Sequence, residues 1–188
     1  EAAPGFGRAA ILLGGLCTLV FAAQLAMALK HGVPIHALML SSGTNEDTYR
    51  AGAMIASGEA IAIAPHRLLS AVFVHLGLLH FGMNMLGFMN LARIAESLVG
   101  AGRTIIAFCL TGVVGFASTL VLNVLTDGPP FITAGASGGI LGVMGLHLGV
   151  LVRRRDPKWV NLAINVLFFA VLFGFAVNGS NAGVRINN

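Results

Sequence analysis

An all-α, multi-pass bundle of membrane-spanning helices is the fold class this sequence predicts, and three observations carry it. Of the 188 residues, 56% are hydrophobic and only 10% are charged, with a mean hydropathy of +0.87, whereas soluble domains carry about 25% charged residues. The apolar residues gather into runs of about twenty, the length a helix needs to cross roughly 30 Å of hydrocarbon. Polar and Gly/Pro-rich stretches fall between those runs, where a helix must stop. The length suits a single domain, residues 1–188, and no internal repeat or low-complexity tract divides it.

Residues 8–29 form the first expected span, closed by Lys30-His31-Gly32. Residues 33–67 mix Pro34, Ser41-Ser42-Gly43, Asn45-Glu46-Asp47 and Pro65 with short apolar pieces. They are too broken to span and too apolar for a free loop, so they read as a loop with short helical pieces lying partly in the interface. Residues 68–92 are the second span and hold the histidines. Residues 103–125 are the third, ended by Asp127-Gly128-Pro129-Pro130. Residues 136–152 are the fourth, stopped by Arg153-Arg154-Arg155-Asp156-Pro157, and residues 159–177 the fifth, with Trp159 as an interfacial anchor. Residues 179–188 read as the turn before a sixth span that follows Asn188 and is missing from this chain.

Charge sets the orientation. Arg8, Arg93, Arg103, Arg153, Arg154, Arg155 and Lys158 fall on one side of the bundle and outnumber Lys30, Arg50, Arg67 and Arg185 on the other. By the positive-inside rule the amino terminus is cytoplasmic and the 33–67 loop is outside. The net charge of +4 therefore belongs to membrane topology, and with no basic stripe interleaved with aromatics, nucleic-acid binding is excluded as a function class. Cys17 and Cys109 each lie within an apolar run and read as buried hydrophobes rather than a disulfide or metal pair.

Two stretches carry chemistry. Gly135-Ala136-Ser137-Gly138 opens the fourth span, and His75-Leu-Gly-Leu-Leu-His80-Phe-Gly-Met-Asn84 lies in the second. Polar groups in hydrocarbon are costly and invite a functional reading. His80 and Asn84, four apart, share a helix face and offer an imidazole N–H and an amide to one point, as a developing oxyanion requires. His75 is expected on the same helix, nearer the outer surface and somewhat round it. Ser137, at a helix N-terminus whose unpaired N–H groups favour negative charge, is the candidate nucleophile. Gly135 and Gly138 let the entry turn bend and another backbone come close. The serine needs a base. His147, about 15 Å along the same helix, is out of reach, and His80 is better suited as a donor.

Together these stretches resemble the rhomboid family of intramembrane serine proteases. The likeness covers most of the chain, from the loop ending in His66-Arg67, through His75, His80 and Asn84, to Glu96 and the Gly-x-Ser-Gly segment. It implies a six-helix core and a Ser-His dyad with Ser137 as nucleophile. His80 and Asn84 would bind the oxyanion, His75 would shape the pocket, and the base would come from the sixth span, from this polypeptide or from a second fragment. It further implies cleavage of transmembrane protein substrates near their outer end, in a bilayer, without metal or cofactor, and a place in a bacterial inner membrane. His66 stands where the family often has tryptophan, which bears on the packing of the loop.

The competing readings are a catalytically inactive relative that binds unstable transmembrane helices, and a transporter fragment, which the clustering of polar groups near one surface disfavours. Smaller expectations are that His147 bonds to a neighbouring helix, that Met83, Met85, Met89 and Met144 fill space, and that Glu96 caps or pairs near Arg93.

Overall fold

A computed structural model describes residues 7–180. Five long helices make the body: α1 (Arg8–Lys30), α5 (Leu78–Val99), α6 (Ala101–Leu125), α7 (Ser137–Arg153) and α8 (Trp159–Ser180). Between α1 and α5 lie a 3-10 turn (Ile35–Met39), α2 (Asn45–Arg50), β1 (Met54–Ile55), α3 (Gly58–Ile63), α4 (Arg67–Ser70) and a second 3-10 turn (Ala71–Phe73). α1 and α6 are each long and apolar enough to cross a membrane, and α4 with its 3-10 turn and α5 make a third, bent candidate. α7 and the first part of α8 are shorter apolar helices.

The second span differs from the expectation of one helix over 68–92. The segment Arg67–Phe73 lies at 89° to α5, and α5 itself starts at Leu78 and runs on to Val99. Residues 74–77 form the corner. Gly77 is its pivot: its φ is 157°, and a Cβ there would stand 2.7 Å from the Leu40 carbonyl carbon, so no side chain fits where the 33–67 loop crosses. The fold is also not purely helical, because β1 pairs antiparallel with β2 (Ile132–Thr133), Met54 opposite Thr133 and Ile55 opposite Ile132. The Ala56 N–H continues the pairing to the Phe131 carbonyl at 2.8 Å. That short ladder satisfies backbone groups in a region with little water and ties the loop to the strand leading into Ser137.

Packing follows residue size. Phe88 and Phe108, both fully buried, meet with ring centroids 4.9 Å apart between α5 and α6. α6 and α7 cross closely because glycines face the contact. A Cβ on Gly138 would lie 3.5 Å from the Gly112 Cα, and one on Gly139 would strike the Phe108 carbonyl at 2.7 Å. Lipid-embedded helices gain little from apolar burial and associate through such close contacts. Ile11, Leu12, Leu19, Ile106, Leu110 and Leu122 remain exposed on the outside of the bundle, as a hydrocarbon-facing surface would be.

Polar side chains pin the loop. The Arg67 guanidinium sits 3.5 Å over the Tyr49 ring and donates to the Tyr49 and Ala53 carbonyls. The Asn123 amide donates to the Ala56 carbonyl at 2.8 Å, joining the end of α6 to the loop. Glu96 does cap, but not near Arg93. It reaches α1 instead and accepts from the N–H groups of Arg8 and Ala9. His147 also departs from expectation, since its buried Nδ1 has no partner among the described residues. Cys17 and Cys109 are free thiols, the first buried.

Candidate active site

Corner 74–77 and the first turn of α5 form one wall of the site, and the turn into α7 forms the other. His80 is held from behind, where the Leu76 N–H donates to its Nδ1 at 3.3 Å. A ring nitrogen that accepts carries no proton, so neutral His80 bears its hydrogen on Nε2. That edge lies over Gly135. A Cβ on residue 135 would stand 2.8 Å from His80 Cε1, 3.0 Å from His80 Nε2 and 3.9 Å from Ser137 Oγ. The histidine donor and the serine hydroxyl therefore flank one small space that exists because residue 135 has no side chain.

Gly135 is fitted to the position twice over. Its φ of 141° is rarely adopted by L-residues, and its N–H donates to the Ala71 carbonyl at 2.9 Å, which fastens the serine turn to the 3-10 turn just before the corner. Ser137 follows as the first residue of α7, where the opening N–H groups of the helix have no intrahelical acceptor. Its hydroxyl makes no hydrogen bond among the described residues, and the residue is partly exposed.

Asn84, fully buried, donates to the His80 carbonyl one turn earlier at 2.7 Å. One amide hydrogen is thus committed to its own helix, the other remains, and the buried Oδ1 is unpartnered. The stacking of His80 and Asn84 on one face is as the spacing predicts, but the bond of Asn84 is to His80 rather than to the serine turn. His75 is corrected outright: it is not on the helix but in the corner before it, fully buried. Its ring stands 5.5 Å from that of His80 and edge-on to Phe81 at 5.3 Å. Its Nδ1 donates to the Phe73 carbonyl at 3.2 Å, so its buried, unpartnered Nε2 carries the lone pair. The two histidines hold opposite tautomers. Gly138 faces α6 and sets the helix crossing beside the serine.

Sequence reasoning missed Gln24, a buried amide in the otherwise apolar α1, and a lone amide in such a helix is itself a signal. Among the described residues no group of three His, Cys, Asp or Glu side chains converges to hold a metal. Of the turn expected over 179–188, the first two residues still belong to α8, which runs to Ser180, and the rest lies outside the described residues, as does any histidine after it.

A hydroxyl at a helix N-terminus beside an oriented imidazole N–H can take part in acyl transfer. The Rhomboid domain family model matches residues 64–187, which takes in the corner, both histidines, Asn84 and the serine turn. The chain belongs to the rhomboid family. Among relatives of this rhomboid, Rhomboid protease GluP of Bacillus subtilis is 30% identical over 121 residues, which make up 62% of this chain and 23% of GluP. YdcA of the same organism is 27% identical over 174 residues, 91% of this chain and 81% of YdcA. Rhomboid-type serine protease 2 of Emericella nidulans is 31% identical over 110 residues, 57% of this chain and 21% of that protein. The rhomboid thus spans about a quarter of the length of GluP.

Proposed function

We propose that this rhomboid is an intramembrane serine endopeptidase that cuts transmembrane segments of membrane proteins near their outer end. The observation that carries the proposal is the convergence of His80 Nε2 and Ser137 Oγ over Gly135. Ser137 Oγ attacks the scissile carbonyl and forms a tetrahedral intermediate, the precursor of the acyl-enzyme. The carbonyl oxygen, now negative, takes hydrogen bonds from His80 Nε2–H, from the free amide hydrogen of Asn84 and from the N–H groups opening α7. A histidine in a sixth span accepts the hydroxyl proton, delivers it to the departing amine, and then activates the water that releases the acid. His80 is the wrong tautomer for that base, since the nitrogen beside Gly135 already holds a hydrogen.

Depth suits the chemistry. Ser137 begins a span rather than sitting at its middle, so water can reach it from one surface. A substrate helix must open its hydrogen bonds near the cut, which favours substrates with small or helix-breaking residues there. The amino terminus is cytoplasmic, the 33–67 loop outside, and the membrane a bacterial inner membrane.

The test is a fluorophosphonate probe, which reacts with an activated serine, applied to the natural full-length protein alongside a control rhomboid. Labelling at Ser137, lost in Ser137→Ala, is the expected result. An unlabelled Ser137 beside a labelled control overturns catalysis and leaves a non-catalytic protein that binds unstable transmembrane helices.

A further inference from the structure

The corner at 74–77 raises an accounting question that the site itself does not answer. Helical bonding stops after the 3-10 turn and resumes at α5, so the N–H and C=O of His75 have no helical partners, and both lie where water is scarce. Gln24, fifty-one positions earlier in α1, takes both. The His75 N–H donates to Gln24 Oε1 at 3.1 Å, and Gln24 Nε2 donates to the His75 carbonyl at 2.8 Å. Gln24 and His75 are each fully buried, and Phe21, one turn earlier on α1, stacks against Phe81 of α5 at 4.4 Å and meets the His75 ring edge-on at 6.2 Å.

The His75 carbonyl and the Leu76 N–H belong to one peptide plane and point in opposite directions. Gln24 grips one side of that plane, and His80 Nδ1 accepts from the other. Rotating the plane would break both bonds at once.

From this we infer that Gln24 is a positioning residue for His80: by fixing the His75–Leu76 peptide it orients the His80 ring and keeps its proton on Nε2, the edge facing Ser137. This rests on the protease reading for its consequence in turnover, but not for its consequence in the ring. Gln24 touches neither substrate nor serine. It acts through one peptide unit.

The test compares wild type, Gln24→Met, Gln24→Glu and Phe21→Leu in the full-length protein, by cleavage kinetics and by ¹⁵N NMR of labelled histidine. Wild type should show His80 as a single Nε2–H tautomer with Nδ1 accepting. Gln24→Met, similar in volume but unable to bond, should mix the tautomers and lower kcat about a hundredfold with KM unchanged, as misplacement of a catalytic group does. Gln24→Glu, kept neutral by burial, can donate and accept as the amide does, and should restore both the His80 signal and turnover. Phe21→Leu removes ring packing against His75 and Phe81 but leaves both Gln24 bonds to the His75 backbone in place, and should lower stability while keeping the His80 signal.

A Gln24→Met protein with the wild-type His80 signal overturns the inference, as does Phe21→Leu mixing the tautomers equally. If Gln24→Met does not fold, Gln24→Glu decides: wild-type signal and turnover support the inference, and a folded, inactive protein with the wild-type signal overturns it. Wild type that neither cleaves nor labels at Ser137 overturns the protease reading alone, and the NMR comparison still judges Gln24.

Discussion

Glu96 on α5 caps a helix that it does not belong to: its carboxylate accepts from the Arg8 N–H at 2.8 Å and the Ala9 N–H at 2.9 Å, at the start of α1. The residue before α1 is Gly7, which has no side chain with which to cap, so a negative group from elsewhere meets the positive end of the helix dipole. Glu96→Ala should cost about 1–2 kcal/mol, the usual worth of an N-cap. Glu96→Gln, which keeps one acceptor, should cost less. Unfolding in mild detergent checks both, and equal stability of all three proteins would remove the cap from the account.

The space between His80 and Ser137 depends on a missing side chain. Gly135→Ala places a methyl 2.8 Å from His80 Cε1 at a φ of 141°, so both a collision and a strain of about 1–3 kcal/mol are imposed. The variant should fold, with reduced stability, and lose at least about a hundredfold in turnover as the ring is displaced. Wild-type turnover in Gly135→Ala would show that the ring can move without consequence.

The donors divide unequally. His80→Ala removes the Nε2–H beside the serine and should lower kcat by about a hundredfold or more, as loss of a principal oxyanion donor does. Asn84→Ala removes both the bond to the His80 carbonyl and the remaining amide hydrogen, so it should lower turnover and loosen the first turn of α5. Ser137→Ala should abolish turnover and leave the melting behaviour unchanged. Single-turnover kinetics and thermal unfolding separate these outcomes.

Asp47 makes the loop sensitive to acid. Burial pushes its carboxyl up, but hydrogen bonds from Thr44 and the His31 ring outweigh that and hold it below the usual carboxylate range. The contacts are a capping box with Thr44 and a 2.7 Å contact with His31 Nδ1. A carboxyl whose folded value is depressed stabilises above its unfolded value, about pH 4, and that stabilisation is lost as pH falls through the folded value. Protection of the Asn45–Arg50 helix from proteolysis should therefore decline below about pH 4. Asp47→Asn should weaken it at neutral pH and flatten that acid dependence.

Two of the spans were legible because hydrocarbon imposes one period and one length on any helix that crosses it. Expected bounds of 8–29 and 103–125 stand beside observed helices Arg8–Lys30 and Ala101–Leu125. The serine and both histidines were legible for a related reason, since polar side chains stand out in apolar runs. The corner was not. Residues 68–77 are as apolar as a helix, and the corner they make lies where the loop backbone at Leu40 comes too close to residue 77 for any side chain, an approach between distant parts of the chain.

The sequence by itself determined that this chain is a helical membrane protein, where its apolar runs lie, and which side chains are chemically conspicuous, because composition and local period are enough for those. Only the tertiary structure decided which nitrogen of His80 bears the proton, that Asn84 braces His80, that Glu96 serves α1, and that Gln24 grips the peptide behind the site. Each of those is a hydrogen bond whose partner is set by how backbone groups meet across helices or around a corner, and no periodicity in a linear chain encodes that direction.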